Sequence, residues 1–469
     1  MEPEQIFSRL AQLASQYRHE QSQGAYVAYL EPGELQQRLD LTRKQAPGDW
    51  EELFHWVETY LRYAVKTGHP GYLNRMWAGA NLPSIIGEMV SALTNTSACT
   101  FETAPVSTLM EKYMIKTMLN LVGFAQGVGQ MTTGSSNANM IAMLAARNHH
   151  AQTVKQQGLF GQKELFAFVN EEAHYSLDRA ANILGLGSDH LIKVPADGHG
   201  CMDTQALEDT LQRIVQAGGQ PFFVTATAGS TVRGGFDRLQ PLLQLRTRFP
   251  FWLHVDGAWG GPVIFSETLR TRYLPLLEQA DSFTMDFHKM PGTALMCNVL
   301  LMRGNSSVLR RALSAGDESY IFREGSEGEI RDLGTLSLQC GRRVDSLKWF
   351  LDWKFYGQEG LARRVEGYLA LCEYAEAQIK QQVELEMVAP RESFNVCFRH
   401  RAPQNIDPAL LNTRIREKMQ QQGRYLVGTG FVNGQLALRL LITNTQVGKA
   451  DIDEFLATVV RTGQEVLAT

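Results

Sequence analysis

Between about residues 63 and 330 the chain repeatedly sets a short, nearly unbroken apolar run ahead of an amphipathic stretch. Leu165-Phe-Ala-Phe-Val169, Phe222-Phe-Val-Thr-Ala226, Phe251-Trp-Leu-His-Val255 and Asn298-Val-Leu-Leu-Met302 are such runs. A strand that is apolar on both faces must be covered on both, which is the condition of a parallel sheet between helices. The stretches between them, such as Thr204-Gln-Ala-Leu-Glu-Asp-Thr-Leu-Gln-Arg-Ile214, carry apolar residues at helical spacing. The pattern predicts an α/β fold with a mostly parallel sheet. In such sheets functional groups gather at the carboxyl ends of the strands.

The flanks read differently. Residues 1–62 are helical in pattern, as in Trp50-Glu-Glu-Leu-Phe-His-Trp-Val-Glu-Thr-Tyr-Leu61. Such a segment makes no core alone and is expected to contact a second subunit. From 331 a long helix is predicted through Arg342 and a second from Leu361 to about 382. Strands follow at Asn395-Val-Cys-Phe-Arg399 and Leu436-Ala-Leu-Arg-Leu-Leu-Ile442, then a helix from Lys449. The expected division is 1–62, 63–330 and a smaller α+β domain at 331–469.

Composition excludes some functions. With 45 basic and 49 acidic residues, the net charge of −4 argues against binding a phosphate backbone. No apolar run approaches the roughly 18 residues of a membrane helix. The start, Met1-Glu-Pro-Glu-Gln5, lacks the basic and apolar regions of a signal peptide, so a cytoplasmic location is expected. The six cysteines are scattered without a Cys-x-x-Cys pair, which leaves no zinc or disulfide framework.

Lys289, in Ser282-Phe-Thr-Met-Asp-Phe-His288-Lys289-Met290, lies where an apolar strand ends in a turn. A partly desolvated amine there suits carbonyl chemistry. Asp256 closes another strand 33 residues earlier and is followed by Gly257-Ala258-Trp259-Gly260-Gly261. A lysine that bonds an aldehyde, with a carboxylate that holds a pyridinium proton, is what a pyridoxal 5′-phosphate enzyme needs. Gly134-Ser135-Ser136 ahead of a strong helix offers amides and hydroxyls to a phosphate, although the same residues form ordinary turns and caps. His174 follows the Leu165 strand, where it would stack on a flat ring or move a proton. Thr227 lies in a hydroxyl-rich segment after another. His254-x-Asp256 puts two ligand types on one face, but no further cluster accompanies them and no metal is expected.

These residues, with His69-Pro70-x-Tyr72-x-Asn74, Phe101-Glu102-x-Ala104-Pro105, His288-Lys289-Met290, Leu338-Gln-Cys-Gly-Arg342 and Asn395-Val-Cys-Phe398, resemble the pyridoxal-phosphate-dependent group II amino-acid decarboxylases. The glutamate, cysteine sulfinate and aspartate branch is the most similar, and the likeness runs from about His69 to the end. It implies the type I fold of pyridoxal-phosphate transferases and a homodimer with active sites at the subunit interface. It makes Lys289 the cofactor lysine, Asp256 the pyridinium partner, and His174 and Ala258 the groups on the two ring faces. Ser135, Ser136 and His288 would hold phosphate, and Thr227 would lie near the ring hydroxyl. Arg439 would bind the substrate α-carboxylate. Tyr320, on a mobile loop, would return the proton to Cα.

Two departures qualify the likeness. Asp286-Phe287 stands where animal relatives have Asn-Pro; a carboxylate so close to phosphate is expected to turn away or bind backbone. Asn74-Arg75-Met76-Trp77-Ala78-Gly79 replaces the Asn-Gln-Leu-Ser-Thr-Gly of glutamate decarboxylase, and Ser97 and Cys99 replace other pocket residues. Trp77 would shorten the pocket and Arg75 would add positive charge. A short acidic substrate (aspartate, cysteine sulfinate or cysteate) is expected. Glutamate belongs to the same acidic class; the alternatives are 2,4-diaminobutyrate or another amino acid, or a transaminating or aldehyde-forming relative.

Overall fold

The computed structural model describes residues 1–39, 41, 46–304, 307–314, 316–323 and 330–468. By internal contacts the chain divides into two compact units. One is Met1–Gly79 with Leu371–Pro390 and Asn395–Thr469, and the other is Ala80–Ala370 with Arg391–Phe394. The residues before 62 thus group with the C-terminal part.

Among its described residues, the second unit is built on a seven-stranded sheet. Across the sheet the strands run Val128–Thr132, Asn298–Met302, Ser282–Asp286, Trp252–Asp256, Gln220–Thr227, Leu165–Asn170 and Leu191–Val194. Four of the six pairings are parallel; the two made by Asn298–Met302 are antiparallel. Nearly all of the strand residues are buried, as continuous apolar runs require. The parallel strands bring Asn170, Thr227, Asp256 and Asp286 to one edge.

Local sequence explains how that edge is left open. Gly257 follows Asp256 at once, and a Cβ there would lie 2.5 Å from the Phe283 ring and 2.9 Å from the Thr284 carbonyl oxygen. Only glycine lets the chain turn away so tightly. At the same edge, after the outermost strand Val128–Thr132, Gly134, with φ +117°, precedes the helix Ser135–His150. That helix buries Ser135, Ala138, Asn139, Ala142, Ala145 and Ala146, and these small side chains let it lie close on the sheet.

The predicted helix through Arg342 begins instead at Ser346 and is broken by non-helical Gly357. Residues 342–345 are drawn out of it because Arg342, 4% exposed, forms an ion pair with the equally buried Glu111. The same guanidinium donates to the carbonyls of Ala98 (3.2 Å) and Met131 (3.3 Å). An ion pair this deep is tolerated only when its remaining donors are satisfied in this way.

The first unit carries a five-stranded sheet among its described residues, in the order Tyr72–Leu73, Leu426–Val432, Gln435–Leu441, Asn395–His400 and Leu385–Met387. The amphipathic helices Pro408–Gln421 and Lys449–Leu467 belong to the same unit. The N-terminal helix Pro3–Glu20 buries no residue fully, and Trp50–Tyr63 buries only Phe54.

Candidate active site

The sequence-predicted residues fall into two sets. Lys289, His174, Tyr320, Ser135, Ser136, Thr227, Asp256, Ala258, His288, Ser97 and Cys99 belong to the second unit; Asn74, Arg75, Trp77 and Arg439 belong to the first.

In the second unit, Lys289 and Asp256 are brought to one place. His174 senses Asp256, Lys289 and Asp286 electrostatically, and burial, its largest influence, lowers its pKa so that the imidazole is neutral. Its Nδ1 accepts the Ser176 amide at 3.3 Å, which orients the ring. Asp256 is 6% exposed; its Oδ1 accepts the Ala258 amide at 3.1 Å and its Oδ2 accepts Asn139 Nδ2 at 2.8 Å. Thr227 lies directly across the sheet from Asp256. Its amide is fixed by the buried carboxylate of Asp237 at 2.7 Å, whose pKa burial pushes up to about 6.

Asp286 does not turn away from the lysine. Its Oδ2 lies 2.9 Å from Lys289 Nζ, and its Oδ1 accepts Asn298 Nδ2 at 2.7 Å. Burial raises the pKa of this carboxyl, but the charges of Lys289 and His288 and two hydrogen bonds outweigh it, and the net shift is downward. The carboxylate therefore stays ionised. The expectation of a backbone partner fails because the turn places Lys289 three residues on, within reach of the same oxygen. Asn298 Nδ2 also donates to Ser135 Oγ at 2.9 Å, so the lysine and the start of the helix Ser135–His150 share one hydrogen-bond chain. Ser136, next on that helix, is exposed. His288 is buried with Nδ1 2.8 Å from the Cys297 carbonyl oxygen, and burial lowers its pKa.

Other predicted residues are placed differently. Tyr320 is 80% exposed, and the described contacts do not bring it to Lys289. Ser97 Oγ bonds the main chain of Arg342 in both directions. Cys99 is buried, and burial, reinforced by Cys340, pushes its thiol up to about 11. In the first unit Arg439 is 7% exposed and donates to the Asn74 carbonyl at 3.1 Å. Burial above all lowers its pKa, and the charge of Arg75 acts in the same direction against Cys397. Trp77 is committed to packing with Tyr72, Tyr26 and Leu426.

Sequence reasoning missed Asn139 and Asn298. Asn139 is one helical turn beyond Ser135 and so shares its face, a signal that was present. Asn298 opens an apolar strand and faces Asp286 only through the antiparallel register.

The site fits pyridoxal phosphate on its own terms. Thr227 Oγ1 is buried among the described atoms without a hydrogen-bond partner, at the edge that carries Asp256. A buried hydroxyl left so is costly unless a ligand group completes it. The amides of Ser135 and Ser136 precede the hydrogen-bond ladder of a 16-residue helix, which suits an anion.

Fold and site together define a type I pyridoxal-phosphate enzyme. The profile of the pyridoxal-dependent decarboxylase conserved domain matches residues 32–401. Mouse cysteine sulfinic acid decarboxylase is 35% identical over 454 residues, 93% of this chain and 90% of that protein. The acidic amino acid decarboxylase GADL1 of Xenopus tropicalis is 33% identical over 453 residues, 93% and 87% of the two chains. The crystal structure of mouse CSAD in apo form superposes with a TM-score of 0.93 at 32% identity, over 98% of each chain. The chain belongs to the pyridoxal-dependent decarboxylase family. It is a decarboxylase of a small amino acid with pyridoxal phosphate as cofactor.

Proposed function

We propose that this enzyme removes the α-carboxylate of a short acidic L-amino acid such as aspartate, cysteine sulfinate or cysteate. The observation that carries the reading is the neighbourhood of Arg439 and Arg75. Two guanidiniums of one unit act on each other electrostatically beside Asn74. Like charges so placed repel until an anion separates them, and a substrate with two acidic groups does that. The relatives named for cysteine sulfinic acid and for acidic amino acids support the same class.

Bound pyridoxal phosphate supplies the electron sink for the pair left when the Cα–carboxylate bond breaks. Lys289 would bind the cofactor's aldehyde carbon, and Asp286, 2.9 Å from its Nζ, would hold the amine. Asp256 would keep the ring nitrogen protonated, Thr227 would serve the ring hydroxyl, and His174 and Ala258 would hold the ring between them. Ser135, Ser136 and His288 hold the phosphate. Arg439 would bind the α-carboxylate and Arg75 the side-chain acid, and Tyr320 would supply the proton to Cα with water excluded.

The active species in this reading is a homodimer. Leu82, Ile86, Met89 and Leu93 form an outward apolar stripe on the helix Leu82–Thr94, and Val106 and Leu109 are similarly exposed on Pro105–Val122. A second copy is the partner that would cover them. No helix among the described residues is long and apolar enough to cross a membrane; we place the enzyme in the cytoplasm.

The test is CO2 release from aspartate, cysteine sulfinate, cysteate, glutamate and 2,4-diaminobutyrate. Arg75→Ala is expected to raise KM for the acidic substrates by about tenfold, the worth of one charge-assisted hydrogen bond. Unchanged turnover of aspartate and cysteine sulfinate by this variant refutes the assignment.

A further inference from the structure

His254 has no role in the chemistry above, although it lies two residues from Asp256 on the same face of the strand. It is fully buried, and so are Asn139 and Ser282, at 0% exposure each. Four hydrogen bonds join these groups in a line. Trp252 Nε1 lies 2.7 Å from Ser282 Oγ, and Ser282 Oγ lies 2.8 Å from His254 Nδ1. His254 Nε2 lies 2.9 Å from Asn139 Oδ1, and Asn139 Nδ2 lies 2.8 Å from Asp256 Oδ2.

The proton positions follow from chemistry. An indole nitrogen only donates, so Ser282 Oγ accepts from Trp252. At the other end a carboxylate only accepts, so Asn139 must present its NH2 to Asp256 and its carbonyl to His254. His254 Nε2 is then the protonated nitrogen, and Nδ1 accepts the Ser282 hydroxyl hydrogen. Each group uses its natural role and all four bonds point one way, toward Asp256. Asn139 Nδ2 also donates to Ser176 Oγ at 3.0 Å, which anchors the amide that meets the carboxylate. Burial pulls the His254 pKa down to about 4, consistent with a neutral ring that adds no competing charge beside Asp256.

We infer that Trp252, Ser282, His254 and Asn139 are positioning residues. They form a directed relay that fixes the Asp256 carboxylate in place, and through it they set the grip on the cofactor's ring nitrogen. The inference rests on the reading of Asp256 as the partner of that nitrogen. In the reverse polarity Asn139 would turn its carbonyl oxygen toward the carboxylate, so a defect anywhere along the line loosens Asp256.

The experiment compares two ligands of the purified protein: pyridoxal phosphate and its carbocyclic analogue, in which C–H replaces the ring nitrogen. Equilibrium affinities are measured by absorbance for the wild type, Asp256→Asn, Asn139→Ala, His254→Phe and His254→Gln. Asn139→Ala and His254→Phe are expected to weaken pyridoxal phosphate about tenfold and to leave the analogue within about twofold. His254→Gln keeps an N–H toward Asn139 and an oxygen toward Ser282, and should recover most of the affinity. If Phe at 254 prevents folding, Ser282→Ala breaks the same link with a smaller change and is expected to show the same selectivity.

Three outcomes overturn the inference. If Asp256→Asn discriminates between the ligands and the relay variants do not, the relay is inert while the reading of Asp256 stands. If Asp256→Asn itself fails to discriminate, that reading falls and takes the relay with it. Equal loss of both ligands in the relay variants would show a role in the fold alone.

Discussion

Replacing Asp286 is the most direct probe of the site, because its carboxylate is 2% exposed and holds two donors. Removing one partner of a buried ion pair costs about 3–5 kcal/mol when the other is stranded. The Lys289 side chain is 19% exposed, so water recovers part of that loss. Asp286→Asn loses the charge and one of the two acceptor oxygens, so its single oxygen serves either Lys289 or Asn298; a loss of about 2 kcal/mol is expected. Asp286→Ala removes both oxygens; Asn298 Nδ2 keeps Ser135 Oγ, Thr284 Oγ1 and the Met285 carbonyl as acceptors, so the loss falls on Lys289 and about 3 kcal/mol is expected. The sign with pH follows from the downward shift of this carboxyl, in which the Lys289 and His288 charges and hydrogen bonds overcome burial. A group whose folded pKa is depressed contributes stability above its unfolded value, about 3.9, and loses it as pH falls through the lower folded value. Urea midpoints of the cofactor-free protein should therefore separate wild type from Asp286→Asn at pH 7, and the gap should close below about pH 4. Equal midpoints at pH 7, or a gap that persists undiminished in acid, would refute the ion-pair argument.

Thr227→Val removes a buried hydroxyl that has no partner among the described atoms, so the cofactor-free protein should unfold at the same urea concentration or a slightly higher one. The same change should weaken pyridoxal phosphate by about fivefold in an absorbance titration. Glu111→Ala strands Arg342 in the interior and should cost about 3–5 kcal/mol, read from the urea midpoint; a loss below about 1 kcal/mol would mean that the guanidinium finds other acceptors. Burial holds His254 at about 4 against 6.5, so its share of stability is full above pH 6.5 and falls away toward pH 4. That limb is worth on the order of 3 kcal/mol, and His254→Gln should flatten it in unfolding curves taken across that range.

The groups that sequence revealed are those whose position follows from one strand end. Asp256, Thr227, His174 and Lys289 each come just after an apolar run, and parallel strands carry such ends to one edge whatever the details of register. The strand Val128–Thr132 was harder to see, because Gly129, Gln130 and Thr132 interrupt its apolar character although all five residues are buried. Arg342 was legible as a motif but not as an interior ion pair, since its partner Glu111 lies 231 residues away. The strand Leu426–Val432 escaped for a related reason: two glycines and a threonine dilute it, and its pairing with Gln435–Leu441 stabilises it.

Asp286 shows where local reasoning stops. Considered beside a phosphate alone, a carboxylate at that position is repelled, and the expectation that it turns away follows. The antiparallel register sets Asn298 opposite it, and the turn after the strand returns Lys289 to its other oxygen. With one neutral donor and one cation committed to it, the carboxylate is stabilised where it stands. Asn298 then links that choice to Ser135. Where animal relatives have Asn, an amide could hold the lysine only as a neutral acceptor; here the lysine meets a fixed negative charge. In the proposed mechanism the substitution would bear on how the Lys289 amine is held, apart from the role proposed for Arg75, and Asp286→Asn is expected to separate the two by changing kcat with KM for the acidic substrate held.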